Sequence, residues 1–280
     1  MSAWVSNWST ALVDFYGKII SKATLLLQML EVTHQQVVQA LETLGIKEGD
    51  GLLVHSAIHV LGYPGGGVGM YLDAILSVIG PQGTLAVPAF NFDFATSARF
   101  DPKETPSKGM GVFSEYVRQQ PGARRTLHPI QSLAVLGYYT EDLTLRDTPS
   151  AFDPGSAFER MLELDFKLLL LGADIQSVSM LHYSEQRADV PYRFWKDFSG
   201  QIRAENDWEQ RTYRMYVRDL DLDPRISLKP VRKYLLDQNQ YSSISLNYGQ
   251  LAACRLIDFV NAVDHFLNDD PWSLVTNRAQ

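Results

Sequence analysis

The sequence predicts an α/β fold with a mixed, mainly parallel central sheet flanked by helices. Short apolar runs alternate along the chain with segments of helical period, a pattern typical of β/α construction. The 280 residues are 45% hydrophobic, so the chain can build a full core without cross-links. The predicted strands are residues 52–55, 85–87, 133–136 and 168–171.

Residues 1–30 differ from the remainder. Trp4, Trp8 and Phe15 recur there at helical spacing with few charges between them, which predicts an amphipathic helix. This helix could pack on the body of the chain, lie on a membrane, or form a subunit contact that makes the protein a homo-oligomer. We therefore expect an N-terminal extension over residues 1–30 and one catalytic domain over residues 31–280.

Composition excludes several classes of protein. The net charge of −7 argues against nonspecific nucleic-acid binding. No run approaches the roughly 18 apolar residues of a membrane span, and no secretory signal is evident, so we expect no stable membrane insertion and a cytoplasmic location. The single cysteine, Cys254, excludes a disulfide framework and a cysteine-based zinc cluster. It is predicted to be a buried, inert thiol in a helix.

The first predicted strand is followed by a glycine-rich turn over residues 62–69. Its glycines would let the backbone approach a ligand, and the amides that begin the predicted helix 70–79 could hold a phosphate. A flexible turn is the alternative, since neither standard nucleotide-binding glycine pattern is present. His55 and His59 have no third ligand near them in sequence, so no metal is expected.

Two further clusters carry polar side chains. Arg124, Arg125, His128 and Ser132 lead into the third predicted strand, where they could pair with phosphates or form a solvated edge. His182 and Glu185 follow the fourth predicted strand. If residues 179–188 form a helix, these two lie on one face, so the carboxylate could hold the imidazole or a substrate cation; an ordinary surface pair is the alternative.

In this order the clusters resemble the aminoglycoside 3-N-acetyltransferase family. The resemblance covers residues 33–280 and includes a closing segment, 249–256, interpreted as a helix. It is carried by Leu53-Val54-His55-Ser56, Gly80-Pro81-x-Gly83-Thr84-Leu85, Arg125-x-x-His128-Pro129-x-x-Ser132, Leu181-His182-x-x-Glu185 and Pro191-Tyr192-Arg193. The resemblance implies an enzyme that moves an acyl group from coenzyme A to an amine of an amino sugar.

The resemblance also implies roles for particular residues. His182 would be the general base, and Glu185 would orient it or hold the substrate ammonium. Acyl-coenzyme A, with an acetyl or longer chain, would contact Ser56, Gly65, Gly66, Gly67, Arg124, Arg125, His128 and Ser132. The amine acceptor would contact Asp93, Asp189, Tyr192 and Arg193.

The identity of the acceptor stays open at this point. A nucleotide-linked amino sugar is favoured, because aromatic and basic residues follow Pro191; an aminoglycoside antibiotic is the alternative. Candidates for an aromatic and basic pocket are Phe90, Phe92, Phe94, Arg99, Tyr192, Arg193, Phe194 and Trp195. Carboxylates for a polycation are Asp93, Glu185, Asp189, Asp219, Asp221 and Asp223. The rival classes are a non-catalytic binding protein and a hydrolase or dehydrogenase, whose nucleophile and dinucleotide patterns are missing.

Overall fold

The computed structural model describes residues 31–204 and 207–278. The predicted amphipathic helix lies outside the described residues, and the division at residue 30 stays a prediction. The described strands are β1 (Glu31–Val32), β2 (Gly51–Ser56), β3 (Tyr63–Pro64), β4 (Thr84–Pro88), β5 (Arg99–Phe100), β6 (Arg124–Arg125), β7 (Leu133–Gly137), β8 (Lys167–Leu171), β9 (Arg193–Ala204), β10 (Asp207–Arg218), β11 (Ser242–Leu246) and β12 (Gly249–Arg255).

The described helices are α1 (His34–Thr43), α2 (Gly69–Ile79), α3 (Phe94–Ser97), α4 (Gly111–Arg118), α5 (Thr140–Thr144), α6 (Ala157–Glu163), α7 (Leu181–Arg187), α8 (Lys229–Asp237) and α9 (Leu256–Asp269). None of them is long and apolar enough to cross a membrane. Thr33 begins α1 with a capping box, because its side chain accepts from the Gln36 amide while the Gln36 side chain accepts from the Thr33 amide.

Seven strands form the central sheet, in the order β11-β12-β8-β2-β4-β7-β6. The predicted mixed sheet is confirmed, and all four predicted strands are present. The parallel part is smaller than predicted, since only the pairings of β2 with β4 and with β8 are parallel. Both edges of the sheet consist of hairpins, β6–β7 and β11–β12, and the strands of a hairpin must run antiparallel.

The central strands are apolar on both faces because helices cover both faces of the sheet. Leu53 packs into one core with the buried faces of α6, α7, α8 and α9. Leu52 and Val54 point the other way, into a second core with α1, α2 and α4. Loops from the helices on both faces of the sheet therefore meet at the carboxyl ends of β2 and β4.

The predicted helix over residues 249–256 is wrong. Residues Gly249–Arg255 are strand β12, with Leu251 opposite Leu171 and Ala253 opposite Leu169, and α9 begins only at Leu256. A short apolar run does not distinguish a buried strand from a buried helix by its period. Cys254 is therefore in a strand; it is buried as predicted, and burial raises the pKa of its thiol to about 12.

A long antiparallel ribbon, β9–β10, stands beside the central sheet. The pairing runs from Ala204 opposite Asp207 to Arg193 opposite Arg218, and β5 adds a short third strand. The segment 91–109 contains both α3 and β5. The end of the ribbon that carries Arg193 and Arg218 lies close to the segment that follows α7.

Candidate active site

Two cavities meet where β2 and β4 end. The first, which we call the glycine-side cavity, has a volume of about 490 Å³ and is lined by Ser56, Gly62, Pro64, Val68, Gly109 and Gly111 among others. The second, the histidine-side cavity, has a volume of about 450 Å³ and includes Phe90, Phe92, Ser179, His182, Arg193, Arg218 and Arg225. His55, Pro88, Met110 and Ser177 line both. Ligands of α/β proteins bind at this end of parallel strands.

His182 projects from the first turn of α7 into the histidine-side cavity. Its Nδ1 lies 2.6 Å from Oε2 of Glu185, and the side chain of Glu185 is fully buried while that of His182 is 30% exposed. The predicted contact between the two residues is confirmed. An ionised carboxylate can only accept, so Nδ1 carries the hydrogen, and in the neutral ring the lone pair is then on Nε2.

Glu185 is ionised although it is buried. Its Oε2 also lies 2.9 Å from Nε of Arg193, whose side chain is only 8% exposed. Burial opposes ionisation, but the hydrogen bond from His182, with the charge and hydrogen bond of Arg193, lowers the pKa of Glu185 below its ordinary value. The carboxylate thus holds the imidazole ring in one orientation.

His55, at the end of β2, lies where the two cavities join. Its Nε2 is 3.4 Å from both the amide and the hydroxyl of Ser179. Burial lowers the pKa of His55 to about 3, so the ring is neutral at neutral pH. No cluster of His, Cys, Asp or Glu within residues 31–204 and 207–278 is arranged to hold a metal ion.

The glycine-side cavity is lined mainly by small and apolar residues. Ser56 lines it, and the predicted Gly65, Gly66 and Gly67 lie in the loop between its lining residues Pro64 and Val68. Gly111, which was not predicted for the site, begins α4 with φ +83°. A Cβ at that position would make an ordinary contact, 3.4 Å from the carbonyl oxygen of Ser56, so the positive φ and not a lack of space favours glycine here.

The arginine and histidine cluster before β7 does not line either cavity, and its assignment to coenzyme A stays a prediction. Arg125 is buried; its guanidinium donates to Ser132 Oγ and to the carbonyls of Thr105 and Ala89. His128 is also buried, and its Nδ1 accepts from the Gln131 amide at 3.0 Å. Arg124 is exposed on an edge strand. Because the donors of Arg125 are already paired, this cluster supports the loops around the site.

Three of the predicted acceptor residues also lie outside both cavities. Asp93 pairs with Lys108 at 2.7 Å, Asp189 accepts from the Tyr216 hydroxyl at 3.0 Å, and Tyr192 is completely buried. Only Arg193 lines the histidine-side cavity. These positions share one explanation, because polarity in the sequence does not reveal which partner inside the fold satisfies a side chain.

The aromatic and basic residues proposed for an acceptor pocket divide in the same way. Phe90 and Phe92 line the histidine-side cavity, with ring centroids 6.4 Å apart. Phe94 is in a separate core beneath the ribbon, and Arg99 stacks on Trp208. Arg218 and Arg225, which were not predicted for the site, line the histidine-side cavity.

Comparison with known proteins agrees with this arrangement. Residues 53–268 match the family model for aminoglycoside 3-N-acetyltransferase. Aminoglycoside N(3)-acetyltransferase III of Salmonella is 32% identical over 193 residues, which are 62% of this chain and 67% of that protein. The crystal structure of aminoglycoside acetyltransferase AAC(3)-Xa is 25% identical with a TM-score of 0.77, over 89% of this chain and 98% of that one.

A third relative, AAC-IIIb in a binary complex with CoASH, shares the fold with a TM-score of 0.75 at 20% identity, over 89% of this chain and all of that one. The match of the family model extends over most of the described chain and includes both cavities' central strands. The chain therefore belongs to the aminoglycoside 3-N-acetyltransferase family and is an acetyl-coenzyme A-dependent N-acetyltransferase.

Proposed function

We propose that this chain transfers the acetyl group of acetyl-coenzyme A to an amine of an amino sugar, with His182 as the general base. One observation carries the proposal: the ring of His182 faces a cavity while its Nδ1 is held at 2.6 Å by the buried, ionised Glu185. This geometry leaves Nε2 as a proton acceptor directed at the bound amine.

The reaction requires such an acceptor. Most sugar amines are protonated near neutral pH, and the nitrogen must lose a proton before or while it attacks the thioester carbonyl. In the proposed step the C–N bond forms, the C–S bond breaks, and His182 takes the proton from nitrogen. The same proton can then neutralise the departing thiolate. Glu185 stabilises the imidazolium that exists between these events.

The glycine-side cavity suits the donor. Its volume is in the range of small-molecule sites, and no Lys, Arg, Asp or Glu among the described residues lines it, which fits the uncharged arm that carries the thioester in coenzyme A. The Ser56 hydroxyl and the backbone amides beside Gly111 supply hydrogen-bond donors at this wall. They are our candidates for stabilising negative charge on the thioester oxygen.

Similarity to known enzymes favours an aminoglycoside as the acceptor. The Salmonella relative and AAC(3)-Xa are both aminoglycoside acetyltransferases, and neither name points to the nucleotide-linked amino sugar favoured by the sequence. The same relatives are acetyltransferases, which favours an acetyl group over a longer acyl chain as the group transferred. An amino sugar with a free, accessible amine is thus the acceptor class that we propose.

Thiol release provides the test. Acetyl-coenzyme A is mixed with the protein and a panel that contains gentamicin, kanamycin and nucleotide-linked 3- and 4-amino sugars, and free thiol is followed with time. We expect amine-dependent release with aminoglycosides. Thiol release with nucleotide-linked sugars alone would contradict the proposal that the acceptor is an aminoglycoside. No release, together with no coenzyme A binding by calorimetry, would contradict the transferase assignment.

A further inference from the structure

Arg193 joins helix α7 to the ribbon. Its Nε lies 2.9 Å from Oε2 of Glu185 on α7, and its Nη1 donates to the carbonyl of Tyr216 on β10 at 3.3 Å. The side chain of Arg193 is only 8% exposed and that of Glu185 is fully buried, so salt and water screen this ion pair little. The guanidinium is therefore fixed between two elements that line the histidine-side cavity.

Arg193 and His182 approach the same oxygen of Glu185. Nδ1 of His182 lies 2.6 Å from Oε2, and the contact with Arg193 is made to that oxygen as well. The positive charge of the guanidinium opposes the addition of a further proton to the two residues, whereas a buried carboxylate without a cation would favour it. Because closely coupled groups titrate as a unit, Arg193 acts on the proton affinity of His182 and Glu185 together.

Other titratable and charged groups surround these two residues. From the ribbon and the turn before it they are Tyr192, Tyr216 and Asp189. In the cavity they are His55, Arg218 and Arg225, and around the rest of α7 they are Asp153 and the ion pair of Arg187 with Asp264. Burial lowers the pKa of His55 to about 3 and raises the pKa of both phenols, so these three groups are neutral near neutral pH. All of these groups are unchanged in a variant of Arg193.

We propose that Arg193 is a positioning residue of this site. It holds Oε2 of Glu185 toward His182, and it keeps the proton affinity of the two residues low enough for the ring to accept a proton from the amine near neutral pH. This role rests on the proposed function, since it concerns the same general base. Arg193 acts through Glu185 and not on the reacting atoms, so its loss should change the pH dependence of the reaction more than the binding of acetyl-coenzyme A.

The pH dependence of kcat/KM for the amine tests this role with two variants. Arg193→Gln keeps a hydrogen-bond donor without the charge, and Arg193→Lys keeps the charge. The acceptor itself titrates identically in every experiment, so a difference between the profiles belongs to the protein. We expect the acid limb to lie at least about one pH unit higher in Arg193→Gln, while the KM for acetyl-coenzyme A changes less than about twofold. Arg193→Lys should recover at least about half of the difference in pH, because it restores the charge but not the forked contact with β10.

Titration of the His182 ring by NMR measures the same property without turnover. The signal of this ring is identified by its absence from the spectrum of His182→Ala. Its midpoint should rise in Arg193→Gln by the same amount as the acid limb of the kinetic profile. Arg203→Gln is the matched control, because it removes one positive charge from the same strand outside both cavities. Its kinetic profile and its His182 midpoint should equal those of the unmodified protein.

A second pair of variants applies if Arg193→Gln does not fold. Glu185→Gln with and without Arg193→Gln leaves no buried carboxylate without its cation, and loss of Arg193 should again raise the His182 midpoint. Three results would overturn the role: an unchanged midpoint and acid limb after loss of Arg193, an equal rise in Arg203→Gln, or no recovery in Arg193→Lys. A raised midpoint in a protein that acetylates no amine would support the role of Arg193 while contradicting the transferase function.

Discussion

Oε2 of Glu185 faces two nitrogen donors, Nδ1 of His182 at 2.6 Å and Nε of Arg193 at 2.9 Å. The contact with His182 is local, since residues three apart on one helix turn are neighbours, and the sequence predicts it. The contact with Arg193 is not local. It depends on the turn that leads from α7 into β9, and this explains why Arg193 was predicted only as an acceptor contact.

Removing either member of the His182 and Glu185 pair should slow the chemical step. His182→Ala should lower kcat by about 10³, within the usual range for loss of a general base, and should keep acetyl-coenzyme A binding. Glu185→Gln should lower kcat by about 10², because glutamine can accept from Nδ1 but cannot stabilise the imidazolium charge. Steady-state kinetics with the best acceptor, together with calorimetry for acetyl-coenzyme A, measures both effects.

Glu141→Gln is the matched control, because Glu141 is an exposed carboxylate on α5 outside both cavities. Its kinetic constants should equal those of the unmodified protein. Substantial activity in His182→Ala would remove this residue from the base role. Loss of acetyl-coenzyme A binding in that variant would instead indicate damage to the site as a whole.

At the scale of elements, local apolar runs predicted β2, β4, β7 and β8, because each is short, buried on both faces and bounded by turn residues. The ribbon β9–β10 was not predicted, since most of its side chains are exposed and it has no apolar run. Its pairing is known only from the register of the two strands in the structure. The placement of Arg193 opposite Arg218 at the histidine-side cavity depends on that register. No local pattern could therefore reveal it.

Arg125 links three such elements. From β6 it holds the end of β4, through the Ala89 carbonyl, and the loop that carries Thr105. Arg125→Leu should lower the free energy of unfolding by about 2–4 kcal/mol, because it leaves buried carbonyls without donors. It should also raise both KM values, since the residues around Gly109 and Met110 line the cavities. Urea denaturation and kinetics measure these changes.

The neighbouring residue supplies the control. Arg124 has the same side chain on the same short strand but is exposed, so Arg124→Leu should change stability by less than about 0.5 kcal/mol. Equal destabilisation by the two substitutions would contradict the role assigned to Arg125. It would mean that β6 responds to any loss of charge.

At the scale of the whole molecule, the described lining residues of both cavities belong to the domain predicted for residues 31–280. We therefore propose that a chain without residues 1–30 keeps its kcat and KM. Kinetics and solution mass of the shortened chain, compared with the full chain, test this division. A fall in mass would support the predicted subunit contact through this segment, and a loss of kcat would contradict a domain that is complete from residue 31.

The acid stability of the fold should be governed by two buried histidines. Burial lowers the pKa of His55 to about 3 and that of His128 to about 4, both from 6.5. In the unfolded chain both rings take up protons below pH 6.5, whereas in the folded chain they stay neutral. Above pH 6.5 the two rings therefore do not lower the free energy of unfolding. As the pH falls below 6.5, each ring lowers it by up to about 1.4 kcal/mol per pH unit.

Between pH 6 and pH 4.5 the free energy of unfolding should therefore fall by up to about 2.7 kcal/mol per pH unit, the combined slope of two rings. Glu185 does not reverse this trend, because its lowered pKa keeps it ionised in the folded chain throughout this range. His128→Asn should halve the slope, since asparagine can still accept from the Gln131 amide but cannot titrate. Urea denaturation at a series of pH values measures it, with His34→Asn on the exposed face of α1 as the control. An unchanged slope in His128→Asn would show that carboxylates, and not the buried rings, set the acid limit of this fold.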